Sequence, residues 1–200
     1  MQTFLIFGTI FLVIDVTTEF IKRKFKLDPE KTRTGLHVVS TLITATLPLF
    51  MDRNYIIALS VIFTLFLLAS KRMNILTSIH GVKRKTVGEL IYSASIGVSA
   101  FLFLPDNINW YFASIIILAI SDPLANIIGR KIKSKKLVFD KTVAGSLAFL
   151  ISSFAISAYF LDLNQAIMVA SFATIAELYS KNGYDNITIV LATYFALLIS

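Results

Sequence analysis

The chain has 200 residues, 56% of them hydrophobic and 16% charged, with no cysteine and only two histidines, His37 and His80. Soluble domains carry roughly a quarter of charged residues, so this composition belongs to a membrane protein. The missing thiols and scarce imidazoles exclude disulfides, thiolate zinc sites, iron–sulfur clusters and HExxH or three-histidine metal centres. A spanning helix takes about 20 residues, and apolar runs bounded by charges or turn residues predict eight: 3–21, 35–51, 54–70, 88–104, 109–121, 142–161, 164–180 and 186–200. The expected fold is therefore all-α, a single polytopic transmembrane helix bundle over 1–200. The first segment lacks a basic leader and a small-residue cleavage site, holds Asp15 and Glu19, and is followed by Lys22-Arg23-Lys24, which predicts an uncleaved, inverted anchor.

Basic residues alternate between loops. Six lie in 22–33, five in 71–85, six in 130–141, and Lys181 precedes the last segment, whereas the alternate loops hold only Arg53. Eighteen of nineteen thus fall on one side of an eight-span arrangement, and the positive-inside rule makes that side cytoplasmic, with both termini outside. The +7 net charge follows from this topology and from attraction to anionic lipid, with no nucleic-acid partner required. No internal repeat is present.

A charged group at mid-bilayer costs about 2.5 to 3.5 kcal/mol, so acids and histidines inside or at the ends of spans need a reason, and here they share a depth. Asp15 and Glu19 close span one, His37 opens span two, Glu89 opens span four, Asp122 ends span five, Glu177 ends span seven, and Asp185 with Asn186 opens span eight. All lie toward the cytoplasmic side, which predicts an active site there. Simpler readings compete for several of them. Asp15 and Glu19 could pair with Arg23 and Lys22, Glu89 and Glu177 with loop lysines, Asp185-Asn186 could cap a helix, and His80 reads as a solvated loop residue.

The stretch 121–146, SDPLANIIGRKIKSKKLVFDKTVAGS, carries the most information. Pro123 has no amide hydrogen and predicts a helix break at Ser121 and Asp122, with Asp122 as cap. Asp122, Asn126 and Gly129 then share one face of a short helix, and the chemistry of Asp122 suits Mg²⁺, which takes one or two carboxylates and fills its shell with phosphate oxygens and water. Arg130, Lys131, Lys133, Lys135, Lys136 and Lys141 supply countercharge. Asp140 is the expected cap of the next span, and its start, Lys141-Thr142 and Gly145-Ser146, is expected to offer free amides to an anion. No Walker A pattern occurs in the chain. The residues alone point to a membrane enzyme or carrier for a magnesium-bound phosphate compound.

DPLANIIGR followed by DKTVAGS resembles the signature of the CTP-dependent polyprenol and lipid-alcohol kinases, the family of dolichol kinase, phytol kinase and the CTP-dependent diacylglycerol kinase. RTGLH at 33–37, KRKTVGELIY at 83–92 and AELYSKNGYDNITI at 176–189 are similar to three further elements of that family, in its order. Lys133 stands where the family usually has a second glycine, and Ala144 where it often has a glutamate. The resemblance implies transfer of the γ-phosphoryl group of CTP to the hydroxyl of a membrane lipid alcohol: a polyprenol or dolichol, phytol or geranylgeraniol, or diacylglycerol. It implies Asp122 as the Mg²⁺ ligand and His37, Glu89 or Glu177 as the group that orients or deprotonates the hydroxyl. Asn126, Gly129, Arg130, Lys131, Lys141, Thr142, Gly145 and Ser146 would contact the nucleotide, with Arg33, Asp185 and Asn186 in support. A phosphatidate cytidylyltransferase, which shares the looser central pattern, and a non-enzymatic carrier of phosphorylated lipids are the alternatives. A prokaryotic cytoplasmic membrane is the expected location.

Overall fold

The computed structural model describes residues 1–73, 75–81 and 86–200. Lys83, Arg84 and Lys85, counted above in the second basic loop and at the start of the KRKTVGELIY element, lie outside the described residues. Everything regular in the rest is helical: α1 (Gln2–Phe25), α2 (Pro29–Thr46), α3 (Arg53–Arg72), the single turn α4 (Thr77–His80), α5 (Gly88–Phe103), α6 (Ile108–Ile116), α7 (Asp122–Lys131), α8 (Val143–Phe160), α9 (Leu163–Leu178) and α10 (Asp185–Leu198). The eight expected segments all carry helix.

Four stretches are long and apolar enough to cross a membrane by length and composition: Gln2–Phe25, Arg53–Arg72, Ile108–Lys131 and Val143–Phe160. Gly88–Phe103, Leu163–Leu178 and Asp185–Leu198 are shorter apolar helices. The remaining helix, α2, is more polar because Arg33, His37, Ser40 and Thr44 on it face a cavity rather than packed side chains. It also starts earlier than expected, where Asp28 accepts a bond from the Glu30 amide at 3.0 Å and Pro29 opens the first turn.

Inside and outside are inverted relative to a soluble bundle. The buried residues of α1 are Asp15 and Glu19, while Leu5, Val13, Val16 and Phe20 point outward and exposed. Such a continuous apolar surface is stable against lipid and not against water. The core between the other helices is built on the buried side chains of Phe103, Tyr111, Leu118, Phe149, Val169 and Ile189.

Helix contacts rely on small residues, as membrane packing does. The Ser60 hydroxyl on α3 donates to the Ser93 carbonyl on α5 at 2.7 Å and accepts from the Gly97 amide at 3.1 Å. The starts of α5 and α10 meet backbone to backbone. Gly183 has φ +90°, and a Cβ there would stand 2.2 Å from the Gly88 Cα, so both positions need glycine. The Val87 amide donates to the Asn182 carbonyl at 3.1 Å, and the buried Asn186 amide nitrogen donates to the Gly88 carbonyl at 3.0 Å.

The expected break at Ser121 and Asp122 does not occur. The chain absorbs Pro123 by winding Ile117–Ser121 as a π-turn and continuing into α7. Asp122 is therefore not at an N-cap position, since its own backbone is already helical.

Candidate functional site

The charged ends of α2, α5, α7, α8, α9 and α10 converge on a cavity of about 640 Å³. Fourteen of the fifteen candidate residues line it. They are His37 and Arg33 from α2, Glu89 from α5, Asp122, Asn126, Gly129 and Arg130 from α7, Lys141, Thr142, Gly145 and Ser146 around the start of α8, Glu177 from α9, and Asp185 and Asn186 from α10. Lys131 is the exception, exposed at the last residue of α7. Phe11, Ile56, Leu59, Phe63 and Leu67 of α1 and α3 line it as well, so the cavity is polar among the loops and apolar between the spans.

Two ionic clusters stand in this wall. Glu89, buried, meets two cationic side chains, Lys71 Nζ at 2.6 Å and Arg33 Nη2 at 3.4 Å, and the His80 imidazole, whose Nδ1 lies 3.5 Å away. Lys141 has the opposite surroundings. Its ammonium bonds to Glu177 and lies 3.6 Å from Asp185 Oδ2, with the Asp122 charge also acting on it. Burial would lower the Lys141 pKa, but the three carboxylates outweigh burial and hold it above the ordinary lysine value. Glu177 Oε2 and Glu89 Oε2 are both buried without a hydrogen-bond partner among the described residues.

Helices α7 and α8 touch through glycine. A Cβ on Gly145 would lie 2.9 Å from the Ala125 carbonyl, and one on Gly129 would lie 2.8 Å from Thr142 Oγ1. The loop between them folds back on the start of α8 and fills its amides. Val143 donates to the Lys135 carbonyl, Ala144 to Ser134 Oγ, Gly145 to Thr142 Oγ1 and Ser146 to the Thr142 carbonyl, all within 2.9–3.2 Å. The amides expected to be free for an anion are thus already bonded. What remains at this end is the helix dipole and the Ser146 hydroxyl, which is buried, lines the cavity and has no partner among the described residues.

Asp140 is not the cap; Thr142 is. Asp140 sits at φ +64° beside Phe139 at φ +51°, both left-handed, and pairs in solvent with Lys136 at 2.7 Å, which holds its carboxyl below the ordinary value. Phe139 lines the cavity with Lys181 Nζ 5.0 Å from its ring centroid. Arg130, mostly exposed, has Nη2 3.9 Å from Glu30 Oε2 across the mouth.

The chain is similar to a phytol kinase. That enzyme, from Synechocystis sp., is 26% identical over 192 residues, which cover 89% of this chain and 82% of the relative. An uncharacterized protein of Methanocaldococcus jannaschii is 42% identical over 91 residues, 46% of this chain and 47% of that protein. No family model matches the sequence, and no solved structure matches it. The first similarity runs through nearly the whole bundle, and it supports a lipid kinase relationship for the chain as a unit.

The sequence missed several participants. His80 is not solvated: its Nε2 is 2.8 Å from Ser70 Oγ and its side chain is buried against Glu89. The spacing of Glu19 and Arg23 correctly pairs them, at 2.6 Å, but Glu19 also accepts from Thr77 Oγ1 and the Ser78 amide, tying α1 to α4. Asp15 lines the cavity from α1 with no hydrogen bond or ion pair among the described residues. Its signal was present in the sequence, an acid in mid-span. Metal coordination by protein alone is absent, since no three His, Cys, Asp or Glu side chains form a metal-holding group among the described residues.

Proposed function

We propose that this protein is a membrane kinase that transfers the γ-phosphoryl group of CTP to the hydroxyl of a lipid alcohol, leaving a lipid monophosphate and CDP. One observation carries the reading: a single cavity joins an acid- and base-rich loop end to an apolar wall between spans, room for a charged nucleotide and a greasy acceptor side by side. The similarity to a phytol kinase supports phosphoryl transfer to a lipid. The choice of CTP follows from the family resemblance of the central motif. With the basic loops placed on the cytoplasmic side, the mouth opens to soluble nucleotide.

Phosphoryl transfer asks for positioning and charge compensation more than for covalent chemistry. Lys141, held protonated by its carboxylate neighbours, and Arg130 at the mouth bind phosphate oxygens, with the Ser146 hydroxyl as a neutral donor. Glycines 129 and 145 keep that wall thin, and Asn126 on the same face of α7 contacts the nucleotide. The Asp122 carboxylate on the cavity wall suits Mg²⁺, a hard cation that takes one or two protein carboxylates and fills its shell with phosphate oxygens and water. Bound there, Mg²⁺ would offset charge on the phosphates. Glu89, ion-paired with Lys71 and Arg33, supports the wall more than the chemistry on this reading, which leaves His37 and Glu177 to face the hydroxyl.

The test is purified protein in detergent with γ-labelled CTP, Mg²⁺ and a panel of dolichol, geranylgeraniol, phytol and diacylglycerol, run beside Asp122→Asn. Label in a lipid, lost in the variant, is the expected result. Pyrophosphate released only with phosphatidate would replace the kinase with a cytidylyltransferase. No turnover with any lipid would favour a carrier.

A further inference from the structure

The helix that bears Asp122 changes register just before it. In the π-turn the Asp122 amide donates to the Ile117 carbonyl, five residues back, and so is withdrawn from Leu118. The next amide that the wider register would send to Leu118 belongs to position 123, and proline has none. Leu118 is fully buried, and a buried carbonyl left without a donor costs about 1–3 kcal/mol. The donor comes from another helix: His37 Nε2 on α2 lies 3.0 Å from the Leu118 oxygen.

A carbonyl only accepts hydrogen bonds. The ring nitrogen facing it must carry the hydrogen, and in a neutral imidazole the other nitrogen is then a bare acceptor. That nitrogen is Nδ1, which no hydrogen bond among the described residues occupies, on a side chain that lines the same cavity as Asp122 and Lys141. The ring is also held in place. Tyr92 packs against it with centroids 4.5 Å apart, and the Tyr92 hydroxyl bonds at 2.9 Å to that of Thr41, on the same helix as His37.

We propose that Pro123 and the π-turn, acting through the Leu118 carbonyl, fix His37 as the Nε2–H tautomer, and that His37 Nδ1 takes the proton of the acceptor hydroxyl. The second half rests on the kinase reading. In that step the hydroxyl proton passes to Nδ1 as the hydroxyl oxygen bonds to the γ-phosphorus. The bond from that phosphorus to the bridging oxygen breaks, CDP leaves with the electron pair, and the imidazolium returns its proton to water. His37 is then a catalytic residue and Pro123 a positioning residue that never touches the substrate. π-Turns of this kind recur at functional sites.

With two histidines in the chain, long-range ¹⁵N–¹H correlation of ¹⁵N-histidine protein in detergent, at a pH where both rings are neutral, reads the tautomer directly. His37→Gln assigns the signals by loss. The expected spectrum has a protonated Nε2 and a bare Nδ1 at His37; the opposite tautomer, or a mixture, overturns the proposal outright. Pro123→Ala restores an amide that competes for Leu118, and it should shift His37 toward a mixture and lower kcat while leaving the KM for CTP in place. An unchanged tautomer in a folded Pro123→Ala protein overturns the role of Pro123, and if that variant does not fold, the wild-type spectrum decides. His37→Gln should lose about 100-fold or more in kcat with CTP binding retained, and a smaller loss removes His37 as proton acceptor. Lipid phosphorylation with the wrong tautomer sinks this inference alone. The right tautomer with no phosphorylation of any lipid sinks the kinase reading and the catalytic half that rests on it.

Discussion

The two ionic clusters of the cavity wall are mirror images in charge. Around Glu89 one carboxylate serves Arg33 of α2, Lys71 of α3 and the His80 imidazole of α4, and around Lys141 one ammonium serves carboxylates from α7, α9 and α10. One carboxylate shared by two cations and an imidazole ties helices together. Several carboxylates around a single base can still take a cation and, through that cation, an anion. On the kinase reading, the first part of the wall holds the bundle together and the second meets substrate.

Breaking the second cluster should do most to activity. Asp122→Asn is expected to cut lipid phosphorylation in the labelled-CTP assay by about 100- to 1,000-fold, the scale of losing one electrostatic anchor of a transition state. Lys141→Met leaves buried carboxylates uncompensated. It should lower stability by about 2–4 kcal/mol, discounted for partial exposure of Lys141 from the range for broken buried pairs, and abolish CTP binding by titration calorimetry. Adding Glu177→Gln to that variant should recover part of the stability and none of the binding.

In the first cluster the order reverses. Glu89→Gln should lose stability, about 1–3 kcal/mol by thermal unfolding, more clearly than it loses turnover; a turnover loss as deep as that of Asp122→Asn would erase the distinction. The pH dependence is the finest test. A lysine pKa raised by folding contributes stability that is fully present below its unfolded value and disappears only as pH rises through the folded value, above the ordinary 10.5. Between pH 7 and about 9.5 neither melting temperature nor CTP affinity should show a Lys141 step. Asp140→Asn, which removes a fully exposed pair with Lys136, should leave both measurements unchanged.

Much of this was legible in the sequence, because membrane burial writes itself into local patterns. The eight apolar segments, the stripe of Asp122, Asn126 and Gly129, and the gathering of acids at one depth all follow from spacing along a single helix. Pairings across the fold were not legible. His80 looked unpartnered since Glu89 and Ser70 reach it only when α3, α4 and α5 pack. Asp140 looked like a cap since it shares the residue type, but the strained turn at Phe139 and Asp140 points it to solvent and hands the role to Thr142. Pro123 predicted a break from the rule for an α-helix, and the chain had a third option, a wider turn, whose stability depends on a histidine 86 positions earlier in the sequence.

The glycine contact between the starts of α5 and α10 bears on how the molecule is made. Gly88 and Gly183 lie 95 residues apart, and at about 5–20 residues per second the first waits on the order of several seconds for the second to be synthesised. Through that interval the Gly88 carbonyl has no Asn186 to bond and the cavity lacks the side of its wall that α10 provides. The cavity therefore gains its α10 side late, when that helix docks against a backbone surface made long before it.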